Sequence, residues 1–228
     1  MPQSEHFSKQ YDSDLEDVRA RVLQMGGVVE AQILAAIECF SSGDTELRVN
    51  AYEVDIDDLC VHIVARRQPA ARDLRLIMGV SKAVTDLERM GDEAEKITRM
   101  AKLIHDRRGM QIPLQAEVRR SGDLAVAQLR RALDAMARLD PDEAERIISE
   151  DALIDTEFRG ILRQLITFMM EDPRTISTAL EIVWVAKAIE RIGDHAKNIA
   201  EQVIYIVRGT DVRHTGKERR RGATDEER

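Results

Sequence analysis

Apolar residues recur every three or four positions along almost the whole chain, and the breaks between these stretches carry residues that start or stop helices. The first stretch predicts a helix from Asp12 to Ser41, ended by the run SSGD. Asp44 can then accept backbone N–H bonds as the cap of a second helix reaching about Arg67. Pro69 opens a third, from about Ala70 to Arg107, which stops at Gly109. GMQIP reads as a linker before a fourth helix, Leu114 to Leu139. Asp140 and Pro141 are the cap and first-turn residue of a fifth helix running to Met170, because the N–H that proline lacks is not needed in a first turn. Asp172 and Pro173 introduce a sixth, Ile176 to Arg208. The charged stretch after Gly209 is nearly devoid of apolar residues and predicts a disordered tail.

The pattern is duplicated. A shift of 102 residues lays ERMGDEAEKI, which starts at Glu88, on ERIGDHAKNI, which starts at Glu190. The same shift superposes a heptad stripe of Ile77, Val80, Val84, Leu87, Gly91, Ala94 and Ala101 on Ala179, Ile182, Ala186, Ile189, Gly193, Ala196 and Val203. EVDID, from Glu53, resembles DALID, from Asp151, at a shift of 98, so the second copy carries about four extra residues before its last helix. The expected fold is all-α: two tandem antiparallel three-helix bundles related by internal duplication, over residues 1–110 and 111–209, with 210–228 as the tail.

Composition supports helices, since only 4% of residues are aromatic and just 12 Gly and 5 Pro interrupt the chain. A net charge of -8 argues against nucleic acid as the main partner, because that affinity comes from clustered Lys and Arg neutralising phosphates. Cys39 and Cys60 form no CxxC pair, the polar start MPQSEHFSKQ is unlike a secretory signal, and no run of about 18 uninterrupted apolar residues occurs. These features predict a cytoplasmic protein that does not span a membrane by itself.

Two acidic pairs at i,i+4 spacing recur in each repeat: Glu53 with Asp57 and Glu88 with Asp92, then Asp151 with Asp155 and Glu190 with Asp194. That spacing puts both members of a pair on one helix face. Acidic residues are abundant here, so any one pair is ordinarily a solvated face. Recurrence at equivalent places, beside a helix-interior Gly that normally costs about 1 kcal/mol, raises the expectation that they act together. Gly91 and Gly193 predict close approach of a neighbouring helix, which would gather carboxylates from two helices and make them repel unless a cation holds them. Oxygen donors without Cys or several His suit iron, manganese, magnesium or calcium rather than structural zinc. His195, beside Asp194, reads as a surface residue or one supporting a ligand, and Arg89 and Arg191 as salt-bridging surface residues. No ExxH, GxxxxGK, GxSxG or HExxH motif is present.

ERIGDHAKNIAE, its echo ERMGDEAEKI, and RQPAARDLR from Arg67 resemble the PhoU family, the phosphate-uptake regulators of bacteria. The resemblance runs from Leu15 to about Arg208. It implies a helical, non-enzymatic cytoplasmic adaptor, often a homodimer, that restrains the phosphate-starvation response. Its implied partners are the ATPase subunit of the phosphate ABC transporter and a sensor histidine kinase, with contact to the membrane only through them. It also implies multinuclear sites for iron or another divalent cation on Glu53, Asp57, Glu88, Asp92, Asp151, Asp155, Glu190 and Asp194, with Asp151 a shorter arm where the first repeat has Glu53. Two other classes compete. One is a metal-dependent carboxylate-bundle oxidase or iron-storage protein, which usually needs the missing ExxH. The other is a histidine phosphotransfer bundle using His62 or His195, which would leave the repeated carboxylates unexplained.

Overall fold

The computed structural model describes residues 3–43, 71–107, 113–150 and 152–212. Among them every regular element is helical: α1 (Gln3–Ser42), α2 (Ala71–His105), α3 (Gln115–Arg138), α4 (Pro141–Glu150), α5 (Ala152–Glu171) and α6 (Ile176–Arg208). A 3-10 turn, Pro173–Thr175, leads into α6. The helix expected over 44–67 lies outside the described residues, as do most of the GMQIP linker, Asp151 and the chain beyond 212. α1 starts at Gln3 rather than Asp12, since no Pro or Gly follows Pro2 to interrupt the periodic stretch. The single fifth helix expected to Met170 is described as α4 and α5, on either side of Asp151.

Local chemistry fixes the ends. Asp172 accepts the Arg174 N–H, and the Arg174 guanidinium beside it holds the Asp172 carboxyl below its ordinary range. Gly209, at φ 73°, closes α6 in the left-handed conformation that glycine adopts without steric cost. α3 ends instead on Leu139 at φ 51°, a conformation unfavourable for leucine, with its N–H bonded to Met136 O. The next residue, Asp140, turns the chain by accepting the N–H groups of Asp142 and Glu143, both at 3.0 Å. Asp140→Ala is therefore expected to lower stability by about 0.5–2 kcal/mol, measured by urea unfolding; a loss below the resolution of that measurement would show that the turn holds without its cap.

α1 and α2 belong to the first bundle, and α3 to α6 form the second. Both heptad stripes are buried as expected, apart from the partly exposed Gly91. α2 and α6 run antiparallel along the centre: Arg75 Nε reaches Ile206 O at one end, and Arg107 binds Thr178 and Glu181 at the other. α1 and α3 cross through a reciprocal contact in which the space a Cβ would take at Gly26 is filled by Leu133, and that at Gly122 by Ile37. Gly122 and Leu133 are the residues 96 positions beyond Gly26 and Ile37, so the contact obeys the duplication. α1 contains a segment, Ser13–Ser42, apolar and long enough to cross a membrane. Its apolar face, from Val18 through Phe40, is packed into the core, which accounts for that hydropathy.

Candidate functional site

Of the eight carboxylates expected to bind a cation, Glu53, Asp57 and Asp151 lie outside the described residues. In the second bundle Gly193 does what a helix-interior glycine predicts. Ile154 Cδ1 of α5 lies 2.7 Å from where a Cβ would be, so the Ile154 side chain fills the space that the glycine leaves open. The contact pins Asp155 and Asp194, each next in sequence to a contact residue, to adjoining turns of two helices. Glu190 stands one turn before Asp194 and pairs with Lys187, while Asp155 pairs with Arg159 at 3.5 Å. These cations offset the carboxylate repulsion from within the protein, so a metal ion would have to displace Lys187 and Arg159. Glu88 is half-buried and Asp92 exposed on α2. Among the described residues no three His, Cys, Asp or Glu side chains gather closely enough to hold a metal. The donors present are hard oxygens, as an iron, manganese or magnesium ion requires.

Gly91 and Gly193 each also face a glutamine. Gln32 Oε1 of α1 lies 3.4 Å from the Cβ position of Gly91, and Gln128 Oε1 of α3 lies 3.4 Å from that of Gly193. Both glutamines are buried, and Gln128 Nε2 has no hydrogen-bond partner among the described residues. The sequence signal was available, because AQI at Ala31 and AQL at Ala127 coincide at the 96-residue shift.

Buried carboxylates of α2 make polar contacts that cross between repeats. Asp86 of α2 is buried; its Oδ1 accepts from His195 Nδ1 at 2.8 Å and Asn198 Nδ2 at 3.0 Å on α6. Glu93, also buried, binds Arg191 at 2.8 Å and Lys96 at 2.6 Å. His195 is thus largely buried and, among the described residues, bonded to Asp86 rather than to a candidate ligand; it is tied into the repeat interface through the opposite helix. Arg191 does bridge to a carboxylate, and its partner lies in the other repeat. Position along one helix could not reveal either pairing, since both partners lie about 100 residues away.

This duplicated arrangement can be compared with known proteins. The description "PhoU domain" matches the chain twice, over residues 22–101 and 118–203. The chain belongs to the PhoU family. The starts of the two matches differ by 96 residues and their ends by 102, the same two shifts that relate α1 to α3 and α2 to α6. The chain is 48% identical over 220 residues to the phosphate-specific transport system accessory protein PhoU homolog of Pseudomonas aeruginosa, covering 92% of this chain and 90% of that one. It is 44% identical over 222 residues to the phosphate-specific transport system accessory protein PhoU of Escherichia coli, covering 93% and 91%. The crystal structure of PhoU from Pseudomonas aeruginosa superposes with a TM-score of 0.83 at 47% identity, over 88% of this chain and all of that one. The phosphate transport system regulatory protein PhoU of Streptococcus pneumoniae shares the fold, with a TM-score of 0.80 at 23% identity over 89% of this chain and 99% of that one.

Proposed function

We propose that this chain is a cytoplasmic, non-enzymatic accessory protein of a phosphate ABC transporter. In this reading it represses the phosphate-starvation response by linking the ATPase subunit of that transporter to a sensor histidine kinase. The observation that carries the reading is the match to phosphate-transport accessory proteins along some nine-tenths of both chains. A strain lacking the gene should express its starvation genes in high phosphate, and the intact gene in trans should restore repression. Normal repression in the deletion strain would overturn the adaptor role. A homodimer is part of the same proposal and is read by light scattering on the purified chain. The oxidase alternative gains no support, since ExxH is absent and His195 is engaged by Asp86.

We also propose that the repeated carboxylates hold iron or another divalent cation, with Asp155, Glu190 and Asp194 among the donors in the second bundle. Bound there, the metal would supply charge neutralisation between α5 and α6. Calorimetry with iron, manganese, magnesium and calcium should show binding and a raised melting temperature, by mass action on the folded state. Glu190→Gln with Asp194→Asn should remove that rise while changing metal-free stability by no more than about 1 kcal/mol, as expected for partly exposed ion pairs. Absence of heat and of any melting shift in the parent would show the carboxylates to be a face held by Lys187 and Arg159 alone.

A further inference from the structure

The carboxylates between α5 and α6 already hold a cation, and the chain itself supplies it. Lys187, Glu190 and Asp194 stand at i, i+3 and i+7 on α6, so they share one stripe of that helix. Ile154 against Gly193 and Phe158 beside Lys187 set the register with α5 and place Asp155 between the two contacts. The Lys187 ammonium pairs with Glu190 and lies 5.4 Å from the centre of the Phe158 ring, so a carboxylate and an aromatic ring both attract it. Arg159, one turn after Asp155, pairs with that residue at 3.5 Å.

The duplication shows that these cations are particular to the second repeat. Its acids have acidic counterparts in the first: Glu190 and Asp194 correspond to Glu88 and Asp92 at the 102-residue shift, and Asp155 to Asp57 at the 98-residue shift. The residues that neutralise them have none. Lys187 corresponds to Thr85, whose hydroxyl donates to the Ser81 carbonyl of its own helix at 3.2 Å. Phe158 and Arg159 correspond to Cys60 and Val61. Two cations, and the ring that seats one of them, thus differ together on two helices around a set of acids that both repeats keep.

A second feature of the same place is independent of charge. Gln128 of α3 is only 8% exposed, and its amide lies against Gly193, the residue between Glu190 and Asp194 in sequence. Its Nε2 has no hydrogen-bond partner among the described residues. A buried donor left unmet is costly, so with Lys187 seated the junction of α3, α5 and α6 still lacks an acceptor. The ammonium can also leave. The Lys187 side chain is 40% exposed on a flexible stem and can turn to water, while Glu190, 13% exposed, stays at the junction.

We propose that Lys187 is a built-in counter-ion of the second repeat's carboxylates, so that a divalent cation binds there only by displacing its ammonium. This deepens the metal reading and rests on it. An incoming cation must break the ion pair of Glu190 and overcome repulsion from the ammonium beside it, so the site answers to cation concentration instead of staying filled. The test uses the full chain carrying Glu88→Gln and Asp92→Asn, which removes an acidic pair of the first repeat, with manganese(II) chloride as the probe. In that background Lys187→Thr, which installs the first repeat's residue, should bind manganese at least about ten-fold more tightly by calorimetry. Lys187→Arg keeps the charge and should stay within about three-fold of the parent. Without metal Lys187→Thr should melt lower than the parent, because Glu190 loses its partner, and manganese should raise its melting temperature by more. Lys187→Met, which keeps an unbranched stem against Phe158, reads the same change if threonine disturbs packing. Equal affinity in the parent and both neutral variants would overturn the proposal and leave the metal reading in place. Tightening by Lys187→Arg as large as by Lys187→Thr would do the same, since charge would then not be the cause. No manganese heat with the unsubstituted chain would overturn both.

Discussion

Leu87→Ala and Ile189→Ala are each expected to destabilise the protein by about 2–5 kcal/mol, and by similar amounts. The two residues are equivalent under the 102-residue shift, sit on the central pair α2 and α6, and are fully buried. Each truncation removes apolar contact and leaves a void whose walls are helices fixed from several sides, so the site relaxes only in part. Because α2 and α6 pack on one another, losing either side chain should weaken both repeats together, and urea unfolding should stay a single transition. A loss below about 1 kcal/mol would show that the void closes by repacking. A second transition would show that the repeats fold as separate units.

The second large effect is expected at Asp86. Asp86→Ala removes the acceptor shared by His195 and Asn198, both of which then face a buried space with donors unmet, at about 1–3 kcal/mol for each group left unsatisfied. Asp86→Asn keeps an oxygen in the same place and should recover a substantial part of the loss. If alanine and asparagine prove equally destabilising, charge rather than hydrogen bonding holds the contact; if neither destabilises, the cluster contributes nothing to joining the repeats. Urea midpoints of the three proteins separate these outcomes.

The sequence made the helices legible because their signals are local. Asp140, Pro141, Asp172 and Gly209 act on the backbone within a few residues of themselves, and all four stand where such residues end or begin helices. The repeat was legible for another reason: two copies of one pattern confirm each other, so Gly193 could be read as a close approach before its neighbour Ile154 was known. What stayed hidden depends on which helix lies opposite. His195 read as a residue near a carboxylate site because Asp194 is next to it in sequence, whereas its bonding partner is 109 residues away on α2. The pairing of Glu190 with Lys187 is local, at i,i+3 spacing, and is legible in the sequence. α1 begins at Gln3, nine residues before the Asp12 expected from the apolar periodicity, because the polar start MPQSEHFSKQ offers little apolar period to read while containing no residue that stops a helix after Pro2.

The contacts between repeats bear on the chain's ancestry. Under the 102-residue shift Asp86 corresponds to Ala188, Glu93 to His195 and Lys96 to Asn198. Two copies of the first half joined the same way would set Asp86 against Glu93, but they would also place Lys96 beside Asp86 and Arg89 beside Glu93, so their carboxylates would keep cationic partners. Two copies of the second half would leave His195 opposite Ala188 and put Arg191 against His195, with no acid for either. After duplication, then, the second half has lost the acids that its own basic residues would need and takes them from the first. If the gene were cut in the linker between α2 and α3, the second product should seek out the first in preference to its own kind.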